Sequence, residues 1–228
     1  MRIRPNFAFE RELWGRGVAA VAGVDEVGVG AFAGPVVAAA VVLAPGATID
    51  GLADSKLLSP KRREDLFAVI SRCALAIGIG RTDVEEVDRL NIYWAAMESR
   101  RRAVEALPMR PGHILVDGKH RIVGCRVSQT AVVDGDALSA SVASASIVAK
   151  VTRDSLMKEY AQLYPEYGFE RHKGYGTVDH ISALARLGPL PLHRWSFAPV
   201  WRAGRPQPQL VLWGDQRQGE QTRSGART

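Results

Sequence analysis

Two adjacent acids, Asp25 and Glu26, stand inside the apolar stretch AGVDEVGVGAFAGPVVAAAVVL at residues 22–43, and a glycine-rich turn follows them at once. Burying an unpaired carboxylate is costly or forces it to take up a proton, so such acids need a reason. Two more acids lie beside glycine, Asp117 in HILVDG and Asp136 in QTAVVDGD. All four fall near the ends of expected strands, and strand ends converge at one edge of a sheet. Clustered carboxylates repel one another unless a cation is present, and an all-oxygen donor set suits Mg²⁺ or Mn²⁺. Two such ions about 3.5–4 Å apart activate a water and stabilise the leaving oxygen in phosphodiester hydrolysis. The bland alternative is that one or more of the acids caps a turn or pairs with arginine, since Asp-Gly at a strand end is common turn chemistry. Geometry raises an objection, because consecutive strand residues point to opposite faces. The expectation here is that a strand end running into Gly28 and Gly30 twists enough to bring Asp25 and Glu26 to one ion pair.

The glycines also satisfy a dinucleotide-binding pattern, with Gly28, Gly30 and Ala33 in G-x-G-x-x-A spacing after a strand. That fingerprint needs a helix to begin inside the motif and receive a pyrophosphate. Here AGPVVAAAVV follows, which favours a second strand, and two acids before the glycines would repel phosphate.

The elements that must hold these residues follow from periodicity. Residues 19–27 and 36–43 read as two strands joined by a tight connection. Ser59 caps a helix whose first position suits Pro60, with Leu66, Val69, Ile70 and Cys73 at helical spacing. A third strand is expected over 74–81, then a capping box from Thr82 to Glu85 opening a short helix. A longer helix runs over 91–107, with the arginines at 100–102 on its solvated face. Strands are expected at 113–118 and 129–136, with RIVGCRV between them as a hairpin arm or edge extension. Helices are expected over 139–163 and 177–187, the second stopped by Gly188 and Pro189. Strands first, then strands alternating with helices, argue for an α/β fold with a mixed sheet flanked by helices.

The chain has 228 residues, 46% hydrophobic and 24% charged, enough for a sizeable core. A net charge of +6, spread along the chain, suits a polyanionic partner without demanding one. Two cysteines, Cys73 in an expected helix and Cys125 in an expected strand, have no ligand-like spacing and read as buried free thiols in a reducing, cytoplasmic setting. The charged N-terminus carries no signal-peptide core, and the longest apolar run is too short to span a bilayer, so no membrane association is expected. Residues 1–204 are expected to form one catalytic domain, in a monomer, and 205–228, rich in Gln, Gly, Arg and Pro, a flexible tail.

Over residues 21–200 the sequence resembles the type 2 ribonucleases H, the ribonuclease HII family. The likeness is carried by AGVDEVG, AGPVVAAAVVL, LADSKLLSPKRRE, DRLNIYWA, LVDGKHR, SASIVAKVTRDSLM, YPEYGFERHKGYGT and HRWSFAPV, in that order. The resemblance implies a ribonuclease H-like fold with a mixed five-stranded sheet and a helical C-terminal region. It implies Mg²⁺- or Mn²⁺-dependent cleavage of the RNA strand of RNA/DNA hybrids, and incision 5′ to single ribonucleotides embedded in duplex DNA, leaving 3′-hydroxyl and 5′-phosphate ends. Carried over residue by residue, it assigns the metal and the catalysis to Asp25, Glu26, Asp117 and Asp136. Lys56 in DSK matches a phosphate-contacting lysine, and Tyr175 in HKGYGT a tyrosine that stacks on the sugar beside the ribonucleotide. Gly28, Val29 and Gly30 match the triad that approaches the 2′-hydroxyl. Lys150, Arg153, Lys173 and Arg194 are further candidates for the duplex backbone, although Lys150 and Arg153, three apart on a helix, could instead pair with nearby acids.

One position departs from the family: its triad reads Gly-Arg-Gly, and here Val29 stands in the middle. Backbone N–H groups survive that change, but a charged group near phosphate is lost. Two alternatives follow, a ribonuclease HIII-like preference for runs of ribonucleotides, or a non-catalytic duplex-binding relative. In the tail, QLVLW at 209–213 looks like the short peptides that bind bacterial sliding clamps, with Gln209 at its head and Leu210, Leu212 and Trp213 as apolar anchors. The alternative is that it packs on the protein's own surface.

Overall fold

A computed structural model describes residues 4–205. The elements in chain order are α1 (Ala8–Gly15), β1 (Val21–Val27), β2 (Val36–Leu43), α2 (Pro60–Cys73), β3 (Ala74–Thr82), α3 (Val84–Leu90), α4 (Ile92–Glu105), β4 (His113–Asp117), β5 (Ser128–Val132), α5 (Gly135–Leu138), α6 (Ala140–Leu163), α7 (Phe169–His172), α8 (Val178–Leu187) and α9 (Ala198–Ala203). The strands form one five-stranded sheet in the order β3-β2-β1-β4-β5. β1, β2 and β3 pair antiparallel, whereas β4 runs parallel to both β1 and β5. This is the mixed sheet the alternation of elements predicts. No helix among the described residues is long and apolar enough to cross a membrane.

Each face of the sheet has its own core. Ala22, Val24, Ala38, Ala40, Val42, Ile114 and Val116 pack with Ala103 and Val104 of α4 and with Leu107 just after it. The alternate residues of β2, Ala39, Val41 and Leu43, pack with Leu66 and Ile70 of α2 and with Ala143, Ile147 and Val148 of α6. The α6 run ASVASASIVA is buried almost throughout, and its small side chains let it lie directly on β1. A Cβ on Gly23 would come within 2.2 Å of the Val142 backbone nitrogen, so only glycine fits beneath the helix there. A third cluster, Met157, Tyr167, Phe169, Leu184 and Val200, ties the C-terminal helices to the end of α6.

Several local expectations need correction. The capping box lies one residue later, from Asp83 to Glu86, because Thr82 is still paired with Val36 in the sheet. Residues 119–127 form turns, not a hairpin arm, and Cys125 lies there; both thiols are half-buried. Asp136 belongs to α5, after the end of β5, with Asp134 in a left-handed conformation (φ 55°) making the corner. α1 carries no strong pattern in the sequence; Glu10 anchors it, accepting from Ser139 Oγ (2.6 Å) and from the Ser141 backbone N–H (2.9 Å). The arginines at 100–102 do not share one solvated face: Arg100 is buried. The QLVLW motif lies outside the described residues.

Candidate active site

Strand alternation sorts the acids. On β1, Ala22 and Val24 face α4, and Glu26, in phase with them, bonds to Arg100 of that helix. Asp25 falls on the opposite face, toward α6, where the nearby Ser146 hydroxyl offsets part of the rise in its pKa. On β4, Leu115 packs with Val142 of α6, so Asp117 shares that face. Val24 pairs with Val116, and the next step along both strands sets Asp25 beside Asp117. Asp117 Oδ1 accepts the Gly135 N–H (2.8 Å), which fixes α5 and brings Asp136 to the same edge. β1 stays in register with β2 through Val27, so Asp25 and Glu26 leave the strand on opposite faces, yet Glu26 remains near enough to raise the pKa of both Asp25 and Asp117.

Burial, then the neighbouring Glu26 and Asp117, push the Asp25 carboxyl well above the usual range. Asp117 moves the same way, through burial and then Asp136 and Glu26. Among the described residues, no three acid, imidazole or thiol side chains stand together as a ready-made ligand set. The donor chemistry nonetheless fits a divalent cation: oxygen donors only, with buried Asp25 next to half-buried Asp117, held at a charge cost that a cation would remove. Lys56 approaches from the turn after β2, its ammonium 3.3 Å from Asp136. Ser55, next to it, contacts Ser146 Oγ to Oγ at 2.9 Å and so ties that turn to α6.

The glycine loop lies beside this edge and is held from behind. Gly28 takes φ +94°, and a Cβ there would meet Arg153 Nε at 2.3 Å. Arg194, fully buried, donates to the carbonyls of Gly28 (2.7 Å), Val29 (3.1 Å), Ala31 (2.7 Å) and Gly34 (3.0 and 2.8 Å). Arg153, equally buried, donates to Pro35, Lys173 and Ala33 at 2.9–3.0 Å. Both were candidates for phosphate contact; instead their donors are spent on backbone carbonyls, most of them in the glycine loop. Lys150 is paired with Asp154 at 2.7 Å, as its helical spacing allows, and Lys173 donates to the Glu170 carbonyl from a left-handed position.

Tyr175 joins the loop by a bridge to Ala31, with the Arg153 guanidinium 5.3 Å and the Lys150 ammonium 5.7 Å from its ring centre. Behind it a histidine chain sets the backbone: Leu190 N–H donates to His193 Nδ1 (2.9 Å), His193 Nε2 contacts His180 Nε2 (3.0 Å), and His180 Nδ1 donates to the Tyr175 carbonyl (3.0 Å). The carbonyl can only accept, so the tautomers follow, each ring neutral. Sequence reasoning missed Ser146, Arg100 and these histidines. Only Arg100 left a signal, since Ala96, Arg100 and Ala103 share the buried stripe of α4.

The family model described as Ribonuclease HII matches residues 22–200. The chain belongs to the ribonuclease HII family. A ribonuclease HII of Moorella thermoacetica is 53% identical over 196 residues, covering 86% of this chain and 95% of that one. Among solved structures, the ribonuclease H2 of Pyrococcus horikoshii OT3 superposes with a TM-score of 0.69 at 26% identity, over 81% of this chain and 97% of that one. The fold is also that of Bst-RNase HIII in complex with Mn²⁺, at TM-score 0.62 and 19% identity, over 82% and 69% of the two chains. The protein is a ribonuclease H, and its family acts on RNA/DNA substrates with a divalent metal.

Proposed function

We propose that this ribonuclease H cleaves the RNA strand of RNA/DNA hybrids and incises 5′ to single ribonucleotides in duplex DNA, leaving 3′-hydroxyl and 5′-phosphate ends. The observation that carries this reading is that Asp25 and Asp117 follow directly on the paired Val24 and Val116, on one sheet face, at the edge where Asp136, Lys56 and the glycine loop meet. Asp25 and Asp117 would hold Mg²⁺ or Mn²⁺, with Asp136 and Glu26 completing the set. Bound, such ions supply charge neutralisation and an activated water. Lys56, its side chain 79% exposed, orients a phosphate next to the acids. The carbonyls of Gly28, Val29, Ala31 and Gly34 are locked by Arg194, so the loop presents a rigid backbone to the ribose. Tyr175, fixed by its bridge to Ala31, packs against the neighbouring sugar, where a 2′-hydroxyl distinguishes RNA from DNA. Mapping the products of a duplex with one ribonucleotide tests the reading: a 5′-phosphate on the deoxynucleotide-only fragment, or no cut, would count against it.

Val29, exposed at the loop, favours a second reading in which long hybrids are preferred. Val29→Arg should then raise the rate on the lone ribonucleotide relative to the hybrid; an unchanged ratio removes the idea. We also infer a sliding clamp as partner through Gln209, Leu210, Leu212 and Trp213. A clamp pull-down with residues 206–228 deleted tests it, and equal capture of both forms would exclude it.

A further inference from the structure

Glu26 lies close enough to Asp25 and Asp117 to raise the pKa of both, yet its own carboxylate is held by another partner. Arg100 Nε and Nη2 both donate to Glu26 Oε2. Both side chains are largely shielded, 9% exposed for the arginine and 14% for the glutamate. The two neighbouring arginines of α4 are engaged elsewhere: Arg101 bonds Glu98 and Glu105, and Arg102 bonds Glu86 and Glu98. Arg100 alone turns inward, between Ala96 and Ala103 on the buried stripe. No other carboxylate bonds to it among the described residues.

We propose that Arg100 is a latch on Glu26, holding it on the α4 face, so that a divalent cation engages Glu26 only when the Arg100 pair is released. This rests on the reading of Asp25 and Asp117 as a cation site. Two effects act in one direction. A guanidinium beside the cluster opposes an incoming cation by charge, and the forked pair occupies the Glu26 oxygen that a cation would take. Arg100 is thus a positioning residue that sets how much divalent metal the centre needs. Removing it should tighten cation binding, the opposite of what loss of a merely structural arginine would do.

The test is calorimetric titration of Mn²⁺ into the nucleic-acid-free protein, for wild type, Arg100→Gln, Arg100→Lys, Glu26→Gln and the Arg100→Gln/Glu26→Gln double variant, each checked for fold by circular dichroism. Arg100→Gln should bind Mn²⁺ about 10- to 100-fold more tightly, the scale of one charge-assisted pair. Arg100→Lys, which keeps the charge but loses the fork, should fall between, and it serves alone if the glutamine variant does not fold. With Glu26 already replaced, Arg100→Gln should give no comparable gain. Equal or weaker binding in Arg100→Gln, or in Arg100→Lys if that is the variant available, overturns the latch while leaving the cation site in place. Absence of Mn²⁺ binding in every form would sink the cation site, and the latch with it.

Discussion

Lys56 holds its ammonium 3.3 Å from the Asp136 carboxylate, across 80 residues of sequence, with the lysine exposed and the aspartate shielded. Burial works against the lysine's charge, but Asp136 and Asp54 outweigh it and raise its pKa. The lysine is therefore a fixed cation at the mouth of the acid site. Lys56→Ala should raise KM for a hybrid about tenfold and make its salt dependence shallower by about one unit of slope, as expected for one lost phosphate contact. Kinetics between low and moderate salt check this.

Asp25 carries a charge cost in the metal-free protein. Its folded pKa is raised, so the folded state binds the proton more readily than the unfolded state does. Stability in EDTA therefore falls as pH climbs from about 4, the unfolded value, through the folded one. Asp25→Asn removes that penalty. In EDTA near neutral pH the variant should melt a few degrees above wild type, with the gap closing in acid, and Mn²⁺ should raise its melting temperature less.

The histidine chain behind Tyr175 has the opposite sign. Burial, then the neighbouring histidines, hold His180 and His193 down to about 4. Their contribution to stability is complete above about 6.5, the unfolded value, and is lost as pH falls from there toward the folded values. Thermal melts from pH 7 to pH 4.5 should show a steeper acid loss in wild type than in His193→Asn. The acid pair contributes equally to both, so the difference isolates the histidines.

Arg194 binds four carbonyls of one loop, and no smaller side chain can satisfy them. Arg194→Ala should cost about 3–5 kcal/mol, the scale of a lost buried network. Arg194→Lys should recover little, because a single ammonium cannot reproduce the planar fork. Urea denaturation of both variants checks this.

Strand and helix positions were legible because apolar periodicity and caps are local: Ser59, Asn91, Ser139 and Thr177 each accept from the first turn of the helix they open. The acids were legible too, since charge inside an apolar strand has few explanations. The buried arginines were not. Arg153 and Arg194 read as surface cations, and only the long-range fold brings them under the carbonyls of residues 28–35. The inward turn of Arg100 depends likewise on which helix face meets β1. The period of two along the strand carries Glu26 to Arg100 on the α4 side, while its charge still reaches Asp25 and Asp117.

The most direct test is cleavage of a DNA duplex with one ribonucleotide, beside an RNA/DNA hybrid of equal length, by wild type, Asp25→Asn and Asp117→Asn, with Mn²⁺ or EDTA. Wild type should cut both substrates with Mn²⁺ and neither with EDTA. Each variant should retain duplex binding while its cleavage rate falls at least about 10³-fold, as expected when a group acting in the transition state is lost. Cleavage in EDTA, or near wild-type rates in either variant, would contradict the assignment of Asp25 and Asp117 as the centre of the reaction.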